Sequence, residues 1–142
     1  MIPRFRSWYT PFKGKTIGQE MKYGQAGRLI THAEMAPDKY VLMQSTGLKD
    51  KNGVEIFEGD IALITHKSTN YADTYWHSYV EVFRAKNGAY RIRGEHIYET
   101  ELYSNRKQLT VAGNIYNSPE LLKRDRFMTT TENPELSGEE QR

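Results

Sequence analysis

The residue types best suited to chemistry fall into three groups. The first is GLKDKNGVEIFEGD, from Gly47 to Asp60, in which Asp50, Asn52 and Gly53 follow the rhythm of a calcium-binding loop. Counting tests that reading. With Gly53 as the obligatory sixth-position glycine, the first ligand position falls on Leu48 and the twelfth on Gly59, so both required carboxylates are missing. The expectation is a turn rather than a metal site, with Asp50 capping its own backbone and Asn52-Gly53 supplying left-handed geometry. The second group is His66, Asp73 and His77, which bracket an aromatic-rich stretch and would converge only if it folds back. The third is Glu55, Glu58 and Asp60, near enough in sequence for acid/base work but placed beside a glycine turn, where carboxylates usually cap or stay solvated. No phosphate-binding glycine loop, serine elbow or dinucleotide fingerprint is present, and with no cysteine in the chain thiolate chemistry is excluded. The expectation is a protein that is not an enzyme and holds no cofactor or metal, with a small hydrolase-like activity as the remote alternative.

Two stretches suit binding better. Tyr71, Tyr75, Trp76 and Tyr79 place four large aromatics within nine residues, the kind of anchor that protein interfaces use. The competing reading is aromatic packing over a small core. Arg84, Arg91 and Arg93 surround the turn of HSYVEVFRAKNGAYRIRG, a basic hairpin that a single-stranded nucleic acid could follow. An overall pI of 8.7 is below that of most dedicated nucleic-acid domains. Protein contact, with a host or phage protein or a second copy of the chain, is therefore the first expectation, and nucleic acid the alternative.

Composition bounds the scaffold. The chain has 142 residues, enough for one domain or two small lobes, with ten Tyr, five Phe and two Trp and a mean hydropathy of −0.77. No apolar run approaches a membrane span, and MIPRFRSWYT lacks the apolar core of a signal peptide, so the expected setting is the cytoplasm, with no membrane partner. Charge is uneven although the net value is only +2. Arg4, Arg6, Lys13, Lys15, Lys22 and Arg28 face only Glu20 within the first 30 residues, whereas TTTENPELSGEEQR at the other end is acidic and poor in apolar groups. That end is expected to be a disordered tail over residues 126–142.

The elements follow from period and turn chemistry. FRSWY alternates as a short strand, KYVLMQST holds the apolar run of a buried one, Val54 to Phe57 is extended, and DIALITHK reads as a strand with Ile61, Leu63 and Thr65 opposite Ala62, Ile64 and His66. Asn87-Gly88 predicts a two-residue type I′ hairpin. In that register Ala85 faces Tyr90, Arg84 faces Arg91, Phe83 faces Ile92 and Val82 faces Arg93, placing Phe83 in the core; a longer loop at Lys86 would relax the opposed arginines. QLTVAGNIY gives a further strand. Ser118-Pro119-Glu120 before Leu121-Leu122 is a helix start with Ser118 as the N-cap. The sum is a mainly β or α+β protein. It is expected to be a small SH3-like barrel over 46–125, preceded by a basic β/turn extension over 1–45 and closed by a short C-terminal helix.

Two phrases are also distinctive as text. LMQSTGLKDKNGVEIFEGDI and VAGNIYNSPELL, in that order after a basic-aromatic opening PRFRSWY, resemble the YopX family of phage and prophage proteins over roughly residues 2 to 122. Val80-Glu81-Val82 and Gly88-Ala89-Tyr90 resemble the strand pair between them, while HKSTNYADTYWHSY is longer than the family pattern. The resemblance implies an SH3-like portion, a phage or prophage origin and work in the cytoplasm of a bacterial host. It transfers no catalytic residue. On physical grounds the shared glycines serve backbone geometry, and the long segment is where contacts particular to this chain are expected.

Overall fold

The computed structural model describes residues 4–134, and the protein is mainly β. The strands are β1 (Phe5–Tyr9), β2 (Glu20–Tyr23), β3 (Tyr40–Lys49), β4 (Glu55–Phe57), β5 (Asp60–Lys67), β6 (Tyr75–Arg84), β7 (Tyr90–Gly94), β8 (Ile97–Glu101), β9 (Leu109–Asn114) and β10 (Phe127–Thr129). The helices are α1 (Ala26–Met35) and the one-turn α2 (Leu102–Asn105). No helix of the described residues is long and apolar enough to cross a membrane.

The chain forms two compact units, Met1–Leu48 with Glu55–Glu58, and Lys49–Val54 with Gly59–Arg142. The backbone passes between these units three times, at 48/49, 54/55 and 58/59. The reason is β4: three residues return to close the first unit's sheet, whose order is β2-β1-β3-β4.

In the first unit the alternation of FRSWY is realised, with Arg6 opposite Met43 and Trp8 opposite Val41. Arg6 is buried despite its charge: its guanidinium lies 4.7 Å from the centre of the Phe57 ring and donates to the Glu58 carbonyl at 3.3 Å. Helix α1 packs on β1 through buried Leu29, and His32 and Tyr9 stack on Tyr40. Sequence period gave no clear element there.

The second unit holds a sheet of order β8-β7-β6-β5-β9 with β10 added to the start of β6, curled into half a barrel. Strands β5 and β6 are central, and both of their faces are buried. Ile61, Leu63 and Tyr79 meet Leu121, Leu122 and Phe127 on one face, while Ala62, Ile64, Val80, Val82, Ile92 and Leu109 line the other.

Three expectations change here. The β6–β7 register is shifted by one residue from the two-residue turn: Val82 faces Ile92, Phe83 faces Arg91 and Arg84 faces Tyr90. The loop is longer because only Gly88, at φ 91°, takes the left-handed conformation, and Ala85 and Ala89 close it through a 2.8 Å backbone bond. Phe83 is thereby moved out of the core to lie under Arg93, whose guanidinium is 4.0 Å from its ring centre. The short C-terminal helix is present as a 3-10 helix, Pro119–Lys123, but Ser118 makes no side-chain cap. Its hydroxyl packs on Gly113 instead, where a Cβ would stand 2.9 Å from Ser118 Oγ. Order also continues past residue 126, since Phe127–Thr129 pairs with His77, Trp76 and Tyr75. The remainder of the expected acidic tail, residues 135–142, lies outside the described residues.

Candidate interaction surfaces

The calcium-like loop resolves into a backbone clamp. Asp50 is buried, and its Oδ1 accepts the amides of Asn52 at 2.8 Å and Val54 at 2.9 Å while Oδ2 accepts the amide of Val111 at 2.8 Å. Three N–H donors converging on one carboxylate do the work that a cation would do for a ligand cluster. The turn closes through Gly53 at φ 83°. Among the described residues no group of three or more His, Cys, Asp or Glu could hold a metal ion.

Of the carboxylates considered for acid/base work, Asp60 is buried and the other two are engaged elsewhere. Glu55 accepts the Ser45 hydroxyl at 2.6 Å and pairs with Arg4 at 3.0 Å, and Glu58 accepts the Gln44 amide at 2.9 Å. His66 and Asp73 are exposed, whereas His77 is buried, so the three do not converge.

The surroundings of His77 fix its proton. Thr129 donates its hydroxyl hydrogen to the Thr131 carbonyl at 2.6 Å, so its oxygen accepts Nε2–H of His77 at 2.7 Å. Nδ1 then accepts the Thr65 hydroxyl at 2.9 Å, and the ring stacks on Phe127 with centroids 5.0 Å apart. Burial and then the charge of Lys51 hold its pKa below the usual 6.5, against a smaller opposite pull from the Thr131 backbone. This neutral histidine fastens β10 to β6.

The aromatic segment does not form one surface. Tyr79 is part of the core, Trp76 is half-buried with the Arg126 guanidinium 4.4 Å from its ring, Tyr75 is half-buried, and Tyr71 stands exposed on the 68–74 loop. The physical reason is the central place of β6 in the curled sheet: Leu121, Leu122 and Phe127 pack against the face that carries Tyr79, and the opposite face, with Val80 and Val82, lies in the core. The basic hairpin is likewise balanced: Arg91 pairs with Glu99 at 2.7 Å and Arg93 with Glu81 at 3.3 Å, while Arg84 is exposed at the hairpin end.

A surface that sequence reasoning passed over is more open. The strand order of the second unit ends at β8, where Tyr98 is 96% exposed, and Tyr103 follows at 59% beneath the Arg106 guanidinium. The signal was present in IYETE, a β-prone stretch with a polar alternate face. In the first unit a cavity of about 480 Å³ opens between Phe5, Tyr23, Phe57 and the start of α1, beside the paired Arg4.

Both distinctive phrases are thus one device, since Asp50 in the first ties down Val111 in the second and Gly113 receives Ser118. The model of the YopX protein family matches residues 7–123. The chain belongs to the YopX family. Among solved structures, this YopX chain is similar to protein EF1440 from Enterococcus faecalis, with 29% identity and a TM-score of 0.48 over 86% of this chain and 99% of that one. No curated protein matches it. Within the matched YopX span, the aromatic and basic candidates sit on β6, β7 and their loops, while the clamp at Asp50 is structural.

Proposed function

We propose that this chain is a non-catalytic binding protein, encoded by a phage or prophage and working in the cytoplasm of the bacterial host through contacts with another protein. The observation that carries the reading is Tyr98, a large aromatic 96% exposed on a strand with another strand on one side only. Tyrosine on an open edge supplies contact area at small entropic cost, and the edge supplies backbone donors and acceptors. This moves the proposed anchor from the 71–79 segment to β8. The nucleic-acid alternative draws less support, because carboxylates already partner Arg91 and Arg93 and would have to be displaced by phosphate.

The test is capture of the tagged protein's partners from host lysate, with and without infecting phage, each sample split between nuclease-treated and untreated arms. Partners that resist nuclease, are lost with Tyr98→Ala and are kept with Trp76→Ala support the reading. Capture that vanishes with nuclease and with Arg84→Ala would favour the basic hairpin.

A further inference from the structure

We infer that the open edge of β8 takes an extended, cationic peptide segment of a partner protein as an added strand. The inference rests on the protein-binding reading above and names the chemistry of the partner. The β7–β8 hairpin is held in place before any partner arrives: Gly94 lies so close to β6 that a Cβ would stand 2.7 Å from the Tyr79 carbonyl oxygen. An edge fixed in this way loses little freedom when another strand pairs with it. Its backbone is largely left for that purpose. Of the β8 carbonyls, that of Glu101 accepts the Asn105 side chain at 2.7 Å, and the described residues place no strand beyond β8.

Charge selects the occupant. From Gly94 to Asn105 the chain carries Glu95, Glu99 and Glu101 and neither lysine nor arginine. Glu99 is taken by Arg91, and Glu101 Oε1 accepts the Ser104 hydroxyl, which leaves exposed Glu95 and the second oxygen of Glu101 to meet cations. A second copy of the chain is disfavoured in the antiparallel register centred on Glu99, which sets two carboxylates against each other. An acidic strand is repelled for the same reason. Cations of an incoming strand find the ring of Tyr98 on one face of β8, with exposed Glu95 in the adjoining turn, and Glu101 on the other face.

The experiment uses three labelled peptides on the full chain: alternating Lys-Thr, alternating Glu-Thr, and the Lys-Thr peptide N-methylated along one backbone edge. The Lys-Thr peptide is expected to bind and to slow amide exchange in residues 97–101. The Glu-Thr peptide should not bind, and N-methylation should weaken binding by roughly tenfold or more. Tyr98→Ala and Glu95→Lys, both at exposed positions, should each weaken the Lys-Thr peptide while leaving the thermal midpoint in place. Equal binding of the Lys and Glu peptides, indifference to N-methylation, or binding without protection at 97–101 overturns the inference. If neither peptide binds while capture from lysate still depends on Tyr98, the cationic-strand inference falls and the protein-binding reading stands. If capture is also independent of Tyr98, both fall.

Discussion

At the scale of single residues, the buried polar groups of this protein act by closing backbone accounts. Asp50 answers three amides, so Asp50→Asn, which turns one acceptor into a donor, should cost about 1–3 kcal/mol, read as a lower urea midpoint at unchanged slope. Added calcium should change neither the wild-type midpoint nor that of the variant. His77 makes a pH prediction whose sign follows from its depressed pKa. The folded protein holds the ring neutral, so its contribution is complete above the unfolded value of 6.5 and is lost as pH falls from there toward the lower folded value. Urea midpoints should therefore fall between pH 7.5 and pH 5, and His77→Gln should flatten that part of the profile.

At the scale of elements, close approach and strand addition decide the folded form. Gly113→Ala drives a Cβ into Ser118 Oγ and should destabilise by about 1–3 kcal/mol, with partial recovery in the double variant Gly113→Ala/Ser118→Gly. The recovery is the informative reading, since a general weakening of β9 would not be relieved at residue 118. Strand β10 hangs on Phe127 and the hydroxyl of Thr129. Phe127→Ala should cost about 2 kcal/mol, less than the 3–5 of a fully buried aromatic because Phe127 is only half-buried. Hydrogen exchange should quicken at residues 127–129 and at their partners Tyr75, Trp76 and His77. These elements also show where sequence reading stops. FRSWY, KYVLMQST, DIALITHK and QLTVAGNIY announced β1, β3, β5 and β9 through alternation or apolar runs. Strands β2 and β10, at four and three residues, are too short for a period to show, β8 was marked only by the β-prone IYETE, and helix α1 is marked by one buried residue, Leu29.

At the scale of the whole molecule, the modest net charge of +2 conceals the fact that many cations are already spent. Arg4 pairs with Glu55, Arg6 lies buried on Phe57, Lys22 lies 4.8 Å from the ring centre of Tyr9, and Arg91 and Arg93 face carboxylates. Affinity for single-stranded DNA should accordingly be weak with a shallow salt slope, equivalent to about two phosphates or fewer, whereas binding to a protein partner should survive the same salt range. Fluorescence anisotropy over a salt series separates the two.

What the sequence by itself determined is local: the turn at Asp50 and Gly53, the strands whose apolar residues repeat with a clear period, the absence of cysteine chemistry, and two phrases similar enough to the YopX family to announce it. Those properties depend on neighbours along the chain. What only the tertiary structure decided is which side chains end up covered. Tyr79 and Trp76 look alike in sequence to Tyr98, yet residues 121–127 help to bury Tyr79, Trp76 is half-covered between β5 and β10, and nothing described covers Tyr98. The one-residue shift of the β6–β7 register sent Phe83 outward and kept Arg93 opposite Glu81 rather than Val82, because a strand's period of two converts a single residue of loop length into a change of face, while β8 supplies Glu99 to Arg91.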